Sequence, residues 1–438
     1  MLGYYVALAL RGLSRNVVLT VLIVAAVGVG IGSSMATLAV YRRMAADPIP
    51  RKSTQLFALQ IDNWGPSRIV APDTSDQLQD QVSYADVKGL LKAPGPRRQA
   101  AMYQVALIVT PPNQQLHPFE TTARATGADF FTMFDVPWLY GAPWTRADDE
   151  HRARVVVITR EMNDQLFEGK NSVGATLKLN DLDYRVVGVL DKWQPLPRFY
   201  DLGSGTYDLP EKVFIPFTLA IALEQRPVAS WSCSSRRDPG WEAFLASDCI
   251  WMQMWVELPT AADVNAYRRW LTNYALEQRR NGRFAWPART ALRDVRQWLS
   301  YHHVVSNETR ILMVVSFSFL FVCLLNAMGL MLARLFWGAR DIALRRALGA
   351  RRRAVLVQCV VETAVVGLIG GLVGLALTAL SLLCLRQLMS EEGSQLLHVD
   401  GMDVGITVLL AVVSTTLAGL YPIWRVIHLA PAPQLKTL

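Results

Sequence analysis

Few residues in this 438-residue chain have the type and spacing that chemistry needs. A phosphate-binding loop requires Gly-x-x-x-x-Gly-Lys-Ser/Thr, so that backbone amides and the lysine cradle a nucleotide's phosphates. The nearest approach is Gly169-Lys170, but Asp164 and Asn171 stand where the first glycine and the hydroxyl residue belong. That dipeptide reads as a turn closing a helix. His302 and His303 are adjacent, so on a helix they diverge and cannot chelate together. No Cys/His spacing marks a metal site, and no nucleophile–base or carboxylate pair marks a hydrolase. What remains is Glu362, an acid inside an apolar run, and an arginine-rich stretch just before it. A carboxylate in lipid is costly and is read as functional by default. Glu362 lies only about two helical turns into its run, so a place near the interface or pairing with an arginine of the preceding loop is preferred over a proton relay.

The elements that must position these groups follow from hydropathy. Hydrophobic residues make up 52% of the chain and charged residues 18%, against about 25% charged in soluble domains. Val17–Val40 and Ile311–Leu332 carry no charge, Val355–Leu385 is broken only by Gln358 and Glu362, and Val404–Ile423 is again uncharged. About 20 apolar residues span the hydrocarbon core as a helix. The chain therefore reads as residues 1–16, a first span 17–40, a polar region 41–310, a second span 311–332, a loop 333–353, a third span 354–385, a short loop 386–403, a fourth span 404–423 and a tail 424–438. Arg11, Arg15 and Ser34-Met35-Ala36 mimic a signal peptide, but its apolar core runs about 7–15 residues, so the first span is expected to stay uncleaved. Gly28/Gly32, Gly367/Gly371 and Gly370/Gly374 have the four-residue spacing that lets membrane helices approach closely.

Charge orients the spans. Residues 1–16, 333–353 and 424–438 hold eleven Lys and Arg residues against Asp341 alone, a net of +10, whereas 386–403 has a net of −3. Positive residues stay in the cytoplasm, so both termini and the arginine loop are expected inside and the region 41–310 outside. That outer region is near neutral, which gives no support to nucleic-acid binding, and none is expected as a partner. Its two cysteines, Cys233 and Cys249, then lie in an oxidising compartment and in or beside a stretch rich in Gly, Pro and Ser, so a disulfide is expected between them.

The outer region reads as mixed α/β, making the whole an α+β membrane protein. Strand-like patterns occupy Gln55–Ile61, Tyr103–Val109, Arg154–Thr159, Thr176–Leu179, Asp183–Leu190 and Ile250–Leu258, the last with Ile250, Met252, Met254, Val256 and Leu258 on one face. Arg160–Phe167 and Ala262–Gln278 have helical periodicity. Trp193–Gly240 reads as an irregular insertion.

Several of these stretches carry a resemblance. Gly127-Ala-Asp-Phe-Phe-Thr-Met-Phe-Asp-Val-Pro-Trp-Leu-Tyr-Gly141, Val155–Phe167, Ser172–Leu179 and Tyr184–Leu190, in that order, resemble the periplasmic core domain of MacB/FtsX-type ABC permeases. Arg340-Asp-Ile-Ala-Leu-Arg-Arg-Ala-Leu-Gly-Ala350, followed by Glu362 and Gly370-Gly-Leu-Val-Gly374, resembles the permease part of the same superfamily. Ala343 stands where the family usually has glycine. The resemblance implies a permease subunit in the bacterial inner membrane, its large domain in the periplasm. Arg340, Asp341, Ile342, Arg345, Arg346, Leu348 and Gly349 would form a coupling helix that docks on an ATPase, with membrane lipid as a second contact for the arginines. With only 16 residues before the first span, ATP and Mg are expected on a separate ATPase chain present in two copies, with no cofactor in this one. A second permease, identical or paralogous, is implied, as are a periplasmic adaptor and an outer-membrane channel if the complex exports. The alternative reading is an FtsX-like regulator of a cell-wall hydrolase.

Overall fold

The computed structural model describes residues 8, 9, 13, 16–62, 64, 78–113, 115–234, 239–284, 286–337, 352–388 and 401–428. They fall into two compact units, Met1–Ala45 with Val305–Leu438, and Ala46–Val304. In chain order the principal helices are α1 (Val17–Met44), α2 (Arg160–Phe167), α3 (Ala261–Arg280), α4 (Asn307–Trp337), α5 (Arg352–Leu388) and α6 (Gly401–His428).

Helices α1, α4, α5 and α6 are each long and apolar enough to cross a membrane. On α1, Ile23, Val27, Ile31 and Met35 recur every fourth residue, so they share one face and are buried with Leu320 and Ala327 of α4, Val366 of α5 and Ala411 of α6. The opposite situation holds for Ile311, Val314, Val315, Phe321 and Leu325 of α4, which are exposed. A contiguous apolar surface of this kind is one that lipid tails cover.

The second unit is built on strands β1 (Leu56–Asp62), β2 (Val82–Ser83), β3 (Arg98–Thr110), β4 (Phe119–Thr126), β5 (Trp138–Gly141), β6 (Val155–Thr159), β7 (Thr176–Leu179), β8 (Leu182–Leu190), β9 (Val213–Pro216), β10 (Ile250–Glu257) and β11 (Arg289–Asp294). Their order in one mixed sheet is β11-β1-β10-β3-β4-β9-β6-β8-β5, with β2 on β10 and β7 bridging β3 and β8. Pairs β4/β9 and β6/β8 are parallel, the other described pairs antiparallel. Side chains alternate across a strand, and β3 shows the result: Ala101, Tyr103, Val105, Leu107 and Val109 enter one core, Ala100 and Met102 the other. Helix α3 starts where Thr260 and Asp263 cap each other's backbone N–H groups, and buries Tyr267, Leu271, Tyr274 and Ala275.

One expectation holds in a fuller form and one needs correction. The shared face of β10 is as expected, with Met252, Met254, Val256 and Leu258 in one core, but the opposite face is covered too: every residue of the strand is buried, and Trp255 fills the second core. The segment Trp193–Gly240 is not irregular throughout. It contributes β9, which pairs with both β4 and β6, and a helix at Phe217–Ala222. Four buried residues ending in proline are too short to show alternation, and the surrounding Gly, Pro and Ser mask them.

Candidate functional site

The residues expected to couple to an ATPase, Arg340, Asp341, Ile342, Arg345, Arg346, Leu348 and Gly349, lie outside the described residues. The stems on either side of them are described. Arg334, near the end of α4, donates from Nη2 to Glu362 Oε1 at 2.5 Å, and from Nη1 to Thr20 Oγ1 of α1 at 3.4 Å. Glu362 and Arg334 keep only 22% and 10% of their side-chain surface. This ion pair joins α4 to α5, and Arg334 ties both to α1. Arg334 is thus an arginine of the stretch 333–353, as expected, but it lies on a helix, because α4 continues to Trp337.

The glycines line two separate contacts. A methyl group added at Gly28 would lie 2.8 Å from Val373 Cγ1, and one at Gly32 2.9 Å from Leu377 Cβ. From the other side, a methyl group added at Gly370 or Gly374 would lie 2.7 Å from Val27 Cγ1 or 3.0 Å from Ile31 Cγ2. These four positions let α1 and α5 approach, and Thr378 Oγ1 donates to Gly32 O across the contact at 3.1 Å. Gly367 and Gly371 instead face α6, against Thr415 and Ala411. At the far end of α1, Arg42 pairs with Asp403 of α6 at 2.7 Å. Sequence reasoning missed Arg42; a cation in the last turn of an apolar helix and an acid at the start of another were the available signal.

In the sheet unit the chemistry is enclosed. Arg124 of β4 is fully buried and pairs with Glu211 and with Asp201, the latter at 2.7 Å. Tyr200 donates to Glu211 Oε2 at 3.2 Å, and Gln253 donates to Asp201 Oδ1 at 3.0 Å. Burial works against the Arg124 charge, but Glu211 and then Asp201 more than offset it, and the pKa stands above the ordinary arginine value. Burial likewise opposes ionisation of Glu211, yet Arg124 and Arg198 hold its carboxyl below the ordinary value. Both groups therefore stay charged at neutral pH. It is a structural knot, of which Asp201 and Gln253 also line a cleft, and sequence reasoning did not single out its members.

Cys233 and Cys249 form a disulfide with Cα atoms 4.0 Å apart. Gly169-Lys170 forms the turn after α2: Glu168 and Gly169 have φ of 57° and 74°, and Lys170 pairs with Glu168 at 2.6 Å. Among the described residues no three His, Cys, Asp or Glu side chains converge as a metal site would require.

Comparison with known proteins adds the lineage. A family model for the MacB-like periplasmic core domain matches residues 20–274, and one for the FtsX-like permease C-terminal region matches 313–431. Similar proteins include the macrolide export ATP-binding/permease protein MacB of Azoarcus sp., 24% identical over 84% of this chain and 50% of the relative. The pyoverdine export ATP-binding/permease protein PvdT of Pseudomonas entomophila is 24% identical over 57% of this chain and 34% of its own. The chain spans about a third to a half of the length of these curated relatives. The periplasmic region of MacB from Actinobacillus actinomycetemcomitans aligns with 59% of this chain and 96% of its own at 13% identity, with a TM-score of 0.37.

Proposed function

Because this chain belongs to the MacB/FtsX-type ABC permeases, we propose that it is the permease subunit of an exporter, passing ATP-driven motion across the inner membrane to its periplasmic domain. A separate ATPase, in two copies, binds ATP and Mg and receives the loop Arg340–Gly349. The loop and both termini face the cytoplasm, in keeping with the charge imbalance of +10 against −3. Two permeases assemble, and substrate is moved on the periplasmic side with an adaptor and an outer-membrane channel. The export sense follows the names of the relatives.

The observation that carries this reading is the Arg334–Glu362 pair between α4 and α5, tied on to Thr20 of α1. A displacement of the loop is thereby delivered to three helices rather than absorbed by flexible stems. Leu348→Asp tests it. A charge forced into an apolar helix–groove contact costs about 3–5 kcal/mol. The expected result is transport reduced at least tenfold, with the ATPase either released or hydrolysing without transport, and the periplasmic domain still folded. Unchanged transport by that variant reduces the loop to a lipid anchor and removes the proposal.

A further inference from the structure

We propose that a cleft in the unit Ala46–Val304 binds an organic cation, a protonated amine carried on an apolar body. The proposal concerns binding alone and does not depend on the transport reading. The cleft has a volume of about 660 Å³, within the roughly 300–1,000 Å³ that holds a small organic molecule. No Lys or Arg is among the described residues that line it, while two carboxylates, Asp80 and Asp201, are. Asp201 is spent on Arg124 and is fully buried. Asp80 is not: 45% of its side chain is exposed. Its Oδ1 accepts from Gln60 at 3.2 Å and lies 3.3 Å from His302 Nε2, and Oδ2 has no partner among the described residues. Asp80 is therefore the accessible carboxylate among the described residues of the lining.

Indole rings complete the recognition. Trp286 is 42% exposed in the lining. Trp64 is anchored through Nε1, which donates to Asp248 O at 3.3 Å, so that its ring is held in place. A cation over an indole face is attracted by the ring quadrupole. Gln79 adds a specific demand. It lines the cleft, is only 2% exposed, and neither atom of its amide has a partner among the described residues. A buried polar group left unpaired is costly, and a ligand carrying an amide-like group answers both its donor and its acceptor. The wall is prebuilt: Cys233 lines the cleft and is tied to Cys249, while Ser232 bridges to Ile250.

The test is equilibrium fluorescence binding of dansylcadaverine, which joins a primary ammonium, a sulfonamide and an aromatic body, to the full chain in nanodiscs, with empty nanodiscs subtracted. Its N-acetylated, uncharged derivative is the comparison. The charged probe is expected to bind at least tenfold more tightly than the acetylated one. Asp80→Asn should lower affinity for the charged probe at least tenfold and for the acetylated probe by less than twofold, with an unchanged melting profile. Trp286→Ala, at an exposed position, should weaken the charged probe about three- to tenfold, and it carries the test should Asp80→Asn fold poorly. Equal affinities for the two probes, or wild-type binding by both Asp80→Asn and Trp286→Ala, overturn the proposal.

Discussion

The two units bury charge in opposite ways. In the sheet unit Arg124, Asp201 and Glu211 have no side-chain exposure, and their partners come from β4, β10 and the segment around Tyr200. In the membrane unit Arg334–Glu362 and Arg42–Asp403 sit near helix ends, with exposures of 9–33% on their side chains. An enclosed network is costly to assemble and more costly to break on one side, because the surviving charges cannot reach water. A clasp at a helix end loses less, because water and lipid headgroups lie within reach of a long side chain. The sheet unit therefore uses charge to enforce one internal arrangement, and the membrane unit uses it to join the ends of separate helices.

The sharpest break of this contrast is Arg124→Met, which leaves Glu211 and Asp201 facing each other. It is expected to destabilise the sheet unit by about 3–5 kcal/mol, read as a large fall in its melting temperature by tryptophan fluorescence. A loss under 1 kcal/mol would mean that the network is loosely held.

Asp149 refines the picture from within the same unit. Burial is the main reason its carboxyl rises from 3.8 to about 6, and Asp129 and Asp148 add to the rise, while a hydrogen bond from Ala128 N–H resists it. A carboxyl whose folded pKa exceeds its unfolded value supports the fold in its protonated form. That contribution is complete below about 3.8 and is lost as the pH rises through about 6. Asp149→Asn keeps an acceptor for Ala128 without the charge. It should be more stable than wild type by about 2 kcal/mol at pH 7 and no more stable at pH 3.5, as denaturant titrations at the two pH values would reveal.

For the membrane unit the steric contact should outweigh the ionic one. Gly32→Leu pushes into Leu377 and the backbone of Gly374, and should cost about 1–3 kcal/mol. Cysteine pairs placed across α1 and α5 should cross-link more slowly in that variant. Gly329→Leu, where an added Cβ meets nothing within 4 Å, should leave cross-linking unchanged. Glu362→Gln keeps an oxygen for Arg334 and removes only the charge, so a loss of about 0.5–1.5 kcal/mol is expected, measured as a small shift in the detergent midpoint for helix unfolding. A loss as large as that of Arg124→Met would erase the distinction between the units.

The four apolar helices were legible because a run of about 20 uncharged residues has few other fates. Helix α2 was legible to the residue, since Thr159 caps its start and Met162, Asn163 and Leu166 mark its buried face. Strands β4 and β11 were not. Phe-Glu-Thr-Thr-Ala-Arg-Ala-Thr and Arg-Thr-Ala-Leu-Arg-Asp have too few apolar residues to show a strand pattern; β4 is interior because Arg124 finds its counter-charges at Asp201 and Glu211, far along the chain. The same reason hid which arginine of the stretch 333–353 meets Glu362. The carboxylate announced itself, but Arg334 lies 28 residues away on another helix, and local periodicity carries no information about such a meeting. The glycine spacing was visible, whereas its division between α1 and α6 required the packed helices.

Thr20 and Arg42, the α1 residues that engage the two clasps, are 22 positions apart, about 33 Å along an α-helix. A typical hydrocarbon core is about 30 Å thick. Helix α1 is thus a gauge, with a polar mark at each end that has to coincide with a boundary of the bilayer. In a thinner membrane the bundle must tilt together, because its ends are fastened to one another, or draw a charged pair into the acyl region. A change in bilayer thickness would therefore act on the inclination of all the fastened helices together.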